Sequence, residues 1–463
     1  EEKSIYPVLE TMAKNQLRIP VYCGLIDIAQ LDAGNPYFKT AELFDFNSLG
    51  IPGTYNKQLH QKLPEFRLDL KQEPDREYQL GLAGSLADIV GLVGEAAAQA
   101  EGLSIRATIN EGLKQYIHGQ RIFRGWFSDL YFTAEHAFAG NILVAWKPRN
   151  HTLPVLAPMQ FLIADTILNP TQVLYTSLDM VRIDQINDEE EAFLATFYLQ
   201  IKTDQELDID QLDFTNASRN AIDHEPLLEA RLIRTRQDTT GLKFRHYLYK
   251  ISGKFQFDPD LKEYPLDQQA FPISIQPGNA LKPFLIQPAH PSNRDTIFQA
   301  NGWTYKYQYV GFDKEIISSS NAFSLVRKNI PYYKFTFEYV MKRLPIDYFL
   351  KTLMPLFTIL TIAYMSVYIP PREFEALAAI QVTALLSSIA LYFSTYKPQI
   401  QYATSSDKIF IFSYVMVTTL IGSSILIYII RRRSPFLKRV AQVYQRILFP
   451  LIIFGFTVYI RWF

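Results

Sequence analysis

One cysteine, Cys23, serves all 463 residues. An intrachain disulfide and any multi-cysteine metal site are thereby excluded. Histidine is also scarce, with seven scattered copies. There is no HExxH, no G-x-S-x-G and no glycine-rich phosphate loop, so the sequence offers none of the usual enzyme signatures. Net charge is zero, 46 basic against 46 acidic residues, and the strongly basic footprint of a nucleic-acid binder is missing. Heptads, low-complexity tracts and tandem repeats are absent as well. The chain opens at Glu1 without a charged-then-apolar leader, as expected where a signal peptide has been removed. Before Ile346 no apolar run is long enough to cross a bilayer.

The last quarter is different. Four apolar stretches run over Ile346–Ile369, Ala376–Phe393, Ile409–Ile430 and Val440–Ile460, and a membrane-crossing helix takes about 20 residues. The second is the least apolar, with Thr383, Ser387 and Ser388 inside it and Glu375 at its start. Arg431, Arg432, Arg433, Lys438 and Arg439 lie between the third and fourth stretches. Positive loops stay in the cytoplasm, which puts residues 1–345 outside, in the periplasm of a bacterium. A transporter would tend to show inverted repeats and broken helices, which four uninterrupted spans do not suggest.

Upstream, residues 1–150 read as α/β, with helices over Ser4–Leu17, Gln79–Ala100 and Arg106–Tyr116 and strands at Ile19–Cys23 and Ile142–Trp146. Residues 151–345 carry β-branched and aromatic runs: Val173–Ile186, Ala192–Ile201, Leu228–Arg236, Lys243–Gly253, Phe271–Ile275, Trp303–Val310 and Tyr333–Met341. Asn, Asp, Gly and Pro punctuate them, and that pattern predicts a β-sandwich. Aromatics make up 14% of the chain, which suits both a β-rich exterior module and a membrane interface.

Between two of the expected strands runs the segment Phe257-Asp-Pro-Asp-Leu-Lys-Glu-Tyr-Pro-Leu-Asp-Gln-Gln-Ala-Phe271. It resembles the signature loop of the pentameric ligand-gated ion channels, the Cys-loop receptor superfamily. Phe257 and Phe271 stand where animal members have two cysteines, with the same spacing, and prokaryotic members also lack that disulfide. Tyr264-Pro265-Leu266-Asp267 matches the family's aromatic-Pro-apolar-Asp core. Arg343-Leu-Pro345 just before the first span, Pro355 within it, and Arg446-Ile-Leu-Phe449-Pro450 in the last span extend the resemblance over residues 165–463.

The resemblance implies a multidomain membrane protein: an α/β N-terminal domain, a β-sandwich ligand-binding-type domain and a four-helix transmembrane domain (spans 346–369, 376–396, 409–430 and 440–460), assembled as a homopentamer in a bacterial inner membrane. Helical spacing puts Ala379, Thr383, Leu386, Ala390 and Phe393 on one face of the second span. With Glu375 they are the expected pore lining. Rings of Leu386 and Phe393 are the expected gate, since hydrophobic constrictions block ions by dewetting. A Glu375 ring is the expected filter and favours monovalent cations, although an acid there also suits a helix start. This register leaves the loop before Tyr402 about two residues short of the family pattern.

For coupling, the resemblance places Asp267 and Pro265 against Arg343, and the acidic turn Asp188, Glu189, Glu190, Glu191 against the loop holding Pro398. Those carboxylates also suit Ca2+ as a modulator, or a plain solvated surface; no other cofactor is expected. Trp303, Tyr305, Phe323 and Tyr332 are candidates for an agonist site of unknown small-molecule or ionic occupant, though an aromatic strand face is as readily core. Residues 1–150 have no counterpart in a minimal channel. Their order of elements resembles the later part of periplasmic amino-acid-type binding proteins, or else an accessory domain touching neighbouring subunits. Lipid and four identical subunits are the expected partners. The rival function is a non-conducting, membrane-anchored periplasmic solute sensor.

Overall fold

A computed structural model of the chain describes residues 5–16, 21–23, 43–45, 74–98, 105–117, 123–125, 129–130, 132, 143–147, 155–164, 167–222, 224–239, 243–279, 282–288, 299–319, 328–370, 373–395, 402–430 and 435–462. In the front portion, helix α1 (Ile5–Lys14) precedes strands β1 (Val21–Cys23) and β2 (Leu43–Asp45), helices α2 (Pro74–Ala98) and α3 (Ile105–Lys114), the short pair β3 (Phe123–Arg124) and β4 (Asp129–Leu130), then β5 (Ala145–Lys147) and β6 (Val155–Leu156). A mixed sheet forms in the order β1-β2-β5-β6. The β5–β6 pairing carries this sheet past residue 150.

The next strands are β7 (Met159–Ala164), β8 (Ile167–Asn187), β9 (Ala192–Thr203), β10 (Leu212–Phe214), β11 (Leu228–Gln237), β12 (Arg245–Gln256), β13 (Gln268–Pro277), β14 (Phe284–Pro288), β15 (Gln299–Ala300), β16 (Trp303–Ser319) and β17 (Lys328–Arg343). They form a seven-stranded sheet along β11-β12-β9-β8-β14, with β7 and β15 also on β8, and a four-stranded sheet β10-β13-β17-β16. Alternation explains how the two share one core, because successive strand residues point to opposite faces. Phe193, Ala195, Phe197, Leu199 and Ile201 are buried from the first sheet, and Phe335, Phe337, Tyr339 and Met341 from the second. The Tyr339 hydroxyl crosses the core to donate to the Leu178 carbonyl at 3.0 Å.

The front sheet is seated on the larger sheet by buried amides. Gln160 bridges the Val144 N–H and C=O at 2.7 and 2.9 Å, and Gln287 Oε1 accepts from Leu156 N at 2.9 Å. Trp146 packs its ring against Phe44, Tyr175 and Phe244.

The back of the chain corrects the expected architecture. Among the described residues three helices are long and apolar enough to cross a membrane, which makes this a membrane-associated chain: α4 (Ile346–Tyr368, with a π-turn at Phe349–Leu353 and a closing 3-10 turn), α5 (Phe374–Ser394) and α6 (Ser405–Ile430). The four-helix transmembrane domain expected from the sequence is not found among the described residues, and ahead of Ile346 the larger part of the described chain is β structure in several sheets. The stretch Val440–Ile460 is the exception among the four. Its path divides into α7 (Pro435–Val443), a π-turn at Tyr444–Leu448, and α8 (Phe449–Trp462), and it is not among those three helices. Gln442, Gln445 and Arg446 interrupt the apolar run where the helix changes pitch. This broken helix still packs on the others, with Phe449 fully buried among Leu356, Leu360, Met416 and Leu420.

Candidate functional site

The best-organised polar cluster lies where the β body meets the membrane-length helices. Arg343 ends β17, and its backbone N–H donates to the Asp267 carbonyl at 3.1 Å. Its side chain grips the Asp267 carboxylate with two bonds, Nε to Oδ1 at 2.9 Å and Nη2 to Oδ2 at 3.1 Å. Nη2 also reaches Asp188 Oδ2 at 2.8 Å. The guanidinium lies 4.3 Å from the Trp303 ring centre and 5.1 Å from that of Tyr264. Trp303 is held there because it pairs with Arg343 in the β16–β17 register.

Burial sets the electrostatics. The Asp267 side chain is 1% exposed, that of Asp188 4% and that of Arg343 18%. Gln269 Nε2 donates a third bond to Asp267, at 2.6 Å to Oδ2. Asp188 has one bond from Arg343, and its Oδ1 is buried with no hydrogen-bond partner among the described residues. Burial therefore raises the Asp188 carboxyl above its ordinary value, an effect the Arg343 charge offsets only in part. Burial alone would lower Arg343, but the bonds and charges of Asp267 and Asp188 more than compensate and hold it above its usual value.

The turn before β9 feeds this cluster. Asn187 Oδ1 accepts from Glu189 N and Glu190 N at 2.9 and 3.2 Å, closing a local turn that fixes Asp188. Glu190 pairs with Lys254, and the Glu191 carbonyl accepts from Phe257 N at 2.9 Å. The acidic turn is thus joined to β12 by an ion pair and to the start of the Phe257–Phe271 loop by a backbone bond. Phe257 and Phe271 meet ring to ring at 5.0 Å and share Phe193, with Trp303 against Phe271 at 5.3 Å.

The Phe257–Phe271 loop then rests on the N-terminus of α6. Ser405 N and Ser406 N donate to the Lys262 and Tyr264 carbonyls at 3.0 and 3.1 Å. These are first-turn helix N–H groups with no partner inside their own helix. Leu261 N donates to the Tyr402 hydroxyl at 3.0 Å. Tyr348 of α4 joins through its ring to Tyr264 and its hydroxyl to Ser406 Oγ, at 2.7 Å. A reciprocal cap, Thr404 with Asp407, opens α6. Asp407 Oδ1 accepts from the Tyr392 hydroxyl of α5 at 3.0 Å, and Tyr392 touches Phe393. A chain of direct contacts therefore runs from Asp188 to the end of α5.

Along α5, Leu377, Gln381, Ala384 and Ser388 are buried against the neighbouring helices. On the opposite side Glu375, Ala379, Thr383, Leu386, Ala390 and Phe393 are exposed, Leu386 by 61% and Phe393 by 78%. From Glu375 to Phe393 the helix rises about 27 Å at 1.5 Å per residue, close to the thickness of a hydrocarbon core.

Sequence reasoning brings Asp267 and Arg343 to one place, and the structure has them together with Pro265, whose bond to Tyr264 is cis. Asp188 is found on Arg343, and the Phe257–Phe271 loop contacts the Tyr402–Ser406 segment. Pro398 and Phe323 lie outside the described residues, as does the side chain of Tyr332. Trp303 is 9% exposed and Tyr305 packs on the core, so neither opens a solvent-facing box. Among the described residues no group of three or more His, Cys, Asp or Glu could hold a metal ion. Tyr402, Tyr392, Asp407 and Tyr348 were missed, and an aromatic or acid beside a span boundary was their only signal. No protein-family model matches the chain, and no curated protein matches it.

Proposed function

We propose that the chain is a subunit of a cation-selective, pentameric ligand-gated ion channel, with its β body outside the cell membrane and the exposed face of α5 lining the pore. The observation that carries this reading is that face. A membrane-length helix packed on one side leaves the other side bare, with a carboxylate at one end, small or hydroxyl residues in the middle, and Leu386 and Phe393 toward the other end. Five such faces around an axis make a wettable path with two apolar constrictions. The edge strand β11 exposes Leu232 and Ile233, and a bare sheet edge of this kind favours contact with a second copy. The basic residues following α6 keep that end in the cytoplasm.

Glu375 at the inner mouth concentrates cations, and the rings of Leu386 and Phe393 close the path by excluding water. The Asp188–Arg343–Asp267 cluster, the Phe257–Phe271 loop and the α6 N-terminus transmit a change in the β body to Tyr392 and Phe393. The agonist is a small molecule or ion reaching the outer domains. The test is planar-bilayer recording of the purified full chain under a potassium chloride gradient. Unitary currents reversing near the potassium potential support the reading. A silent protein that still binds solutes points to a membrane-anchored sensor, and reversal at the chloride potential removes the filter role of Glu375.

A further inference from the structure

Behind the exposed face of α5 lies a buried polar network that no step above uses. Gln381 is fully buried, and its Nε2 donates to Ser366 Oγ at the end of α4 (3.0 Å) and to Ser424 Oγ of α6 (3.1 Å). Gln445, 4% exposed in the π-turn of the last helix, donates from Nε2 to Ser423 Oγ and to the same Ser424 Oγ at 2.9 and 2.8 Å. Ser424 Oγ in turn donates to the Leu420 carbonyl at 2.9 Å. One hydroxyl offers a single donor and two acceptor sites, so Ser424 is saturated by the two glutamines and its own helix. Gln381 and Gln445 act on each other only through that shared oxygen.

The π-turn is what brings the outermost helix into this network. Each of its first three residues engages a neighbour. The Tyr444 hydroxyl meets Thr419 Oγ1 at 2.6 Å, Gln445 reaches Ser423 and Ser424, and the Arg446 carbonyl accepts from the Tyr364 hydroxyl at 3.3 Å. Single-turn π segments inside helices recur at functional positions. Their wider turn redirects a side chain that an unbroken α-helix would leave elsewhere. Gln381 meanwhile lies behind Thr383, in the inner half of the exposed face. Its Oε1 is buried without a partner among the described residues, so its amide is under-bonded and free to respond when Ser424 moves.

We infer that Gln445 is a positioning residue for the pore-lining helix. It sets Ser424, Ser424 sets Gln381, and Gln381 fixes the rotation of α5 about the inner half of the path. This rests on the channel reading given above. Displacement of the last helix, whose Leu451 and Phe454 are exposed, then alters the open-to-closed balance without touching a pore-facing side chain. A merely structural network would lower stability and leave that balance alone.

The experiment compares wild type, Gln445→Met, Gln381→Met and the double variant as purified full chains in planar bilayers at fixed voltage, with thermal midpoints measured on the same preparations. The probe is spontaneous opening in potassium chloride, with no agonist added. The inference expects each single variant to change the open-to-closed ratio about fivefold, the scale of one hydrogen bond, with unit conductance and reversal potential unchanged. The double variant should do no more than either single one, because both act through one oxygen. Where Gln445→Met does not assemble, Ser424→Ala takes its place, with Gln381→Met adding nothing further in that background. A conducting wild type whose ratio is unmoved in Gln445→Met, or whose two effects simply multiply, overturns the inference and leaves the channel reading intact. A wild type silent without agonist is retested, with the same variants, in the Phe393→Ala background, whose widened constriction conducts without one; silence there too removes the channel reading and this inference with it.

Discussion

Replacing Asp267 and replacing Asp188 should have very different costs, although both carboxylates face the same arginine. Asp267 accepts three bonds, at 2.9 and 3.1 Å from Arg343 and 2.6 Å from Gln269. Removing it by Asp267→Ala strands a largely buried guanidinium with one remaining partner and leaves the Gln269 amide short of an acceptor. Breaking a buried pair from one side costs about 3–5 kcal/mol. Asp188 accepts a single bond from Arg343, and its other oxygen is unpaired among the described residues. Asp188→Asn keeps an acceptor for Arg343 Nη2 and discharges a carboxylate that burial already disfavours, so its net cost is about 1 kcal/mol or less. The assay is the thermal or denaturant midpoint of the purified full chain, followed through tryptophan fluorescence; Trp303 lies directly on Arg343. Equal losses for the two variants, or a larger loss for Asp188→Asn, would refute the assignment of Asp267 as the principal counter-charge.

Further expectations follow from the same geometry. Glu375→Gln should move the reversal potential in a potassium chloride gradient toward the chloride value; an unchanged potential would show that the filter lies elsewhere. Phe393→Ala removes an exposed apolar ring and should raise current in the absence of agonist, as widening a dewetted constriction does; Leu391→Ala, on the side packed against the neighbouring helices, should not. Tyr402→Phe deletes the hydroxyl that accepts from Leu261 N and should cost about 1 kcal/mol of stability, detected in the same unfolding assay, with a weaker response to any opening stimulus. For pH, Asp188 is raised from 3.8 in the folded chain, so the folded form binds that proton more tightly than the unfolded form does. Its ionisation therefore subtracts stability, increasingly as pH rises from 3.8 through the raised value. The stability of Asp188→Asn relative to wild type should be greatest at neutral pH and shrink as pH falls through that window.

The strands of the β body were readable because β-branched and aromatic alternation survives in a two-sheet core: Ala192–Ile201 and Tyr333–Met341 lie inside β9 and β17. The hairpin of β16 and β17 runs well beyond its aromatic parts, into Glu315–Ser319 and Lys328–Ile330, where pairing rather than pattern sustains it. The exposed face of α5 was visible in its four-three spacing, which helix geometry imposes. Ser388 was not: it reads as a wettable interruption, yet it is fully buried and bonds the Leu385 carbonyl of its own helix. Val440–Ile460 has the length of a span, but length could not reveal that Gln445 would be turned inward by a π-turn. Asp188 looked like one acid among four. Its pairing with Arg343, 155 residues away, depends on tertiary closure of the acidic turn, which no local pattern encodes.

The central claim, that one face of α5 borders a water-filled path, can be tested through the chain's single cysteine. With Cys23→Ser as background, cysteine is placed in turn at Thr383, Leu386 and Ala390, and at the buried positions Ala384 and Ser388. A charged thiol reagent is then applied while bilayer current is recorded. The expected result is a rapid current change at Thr383→Cys, Leu386→Cys and Ala390→Cys, with no effect at Ala384→Cys or Ser388→Cys. Equal reactivity on both sides of the helix, or modification confined to the buried set, would contradict it.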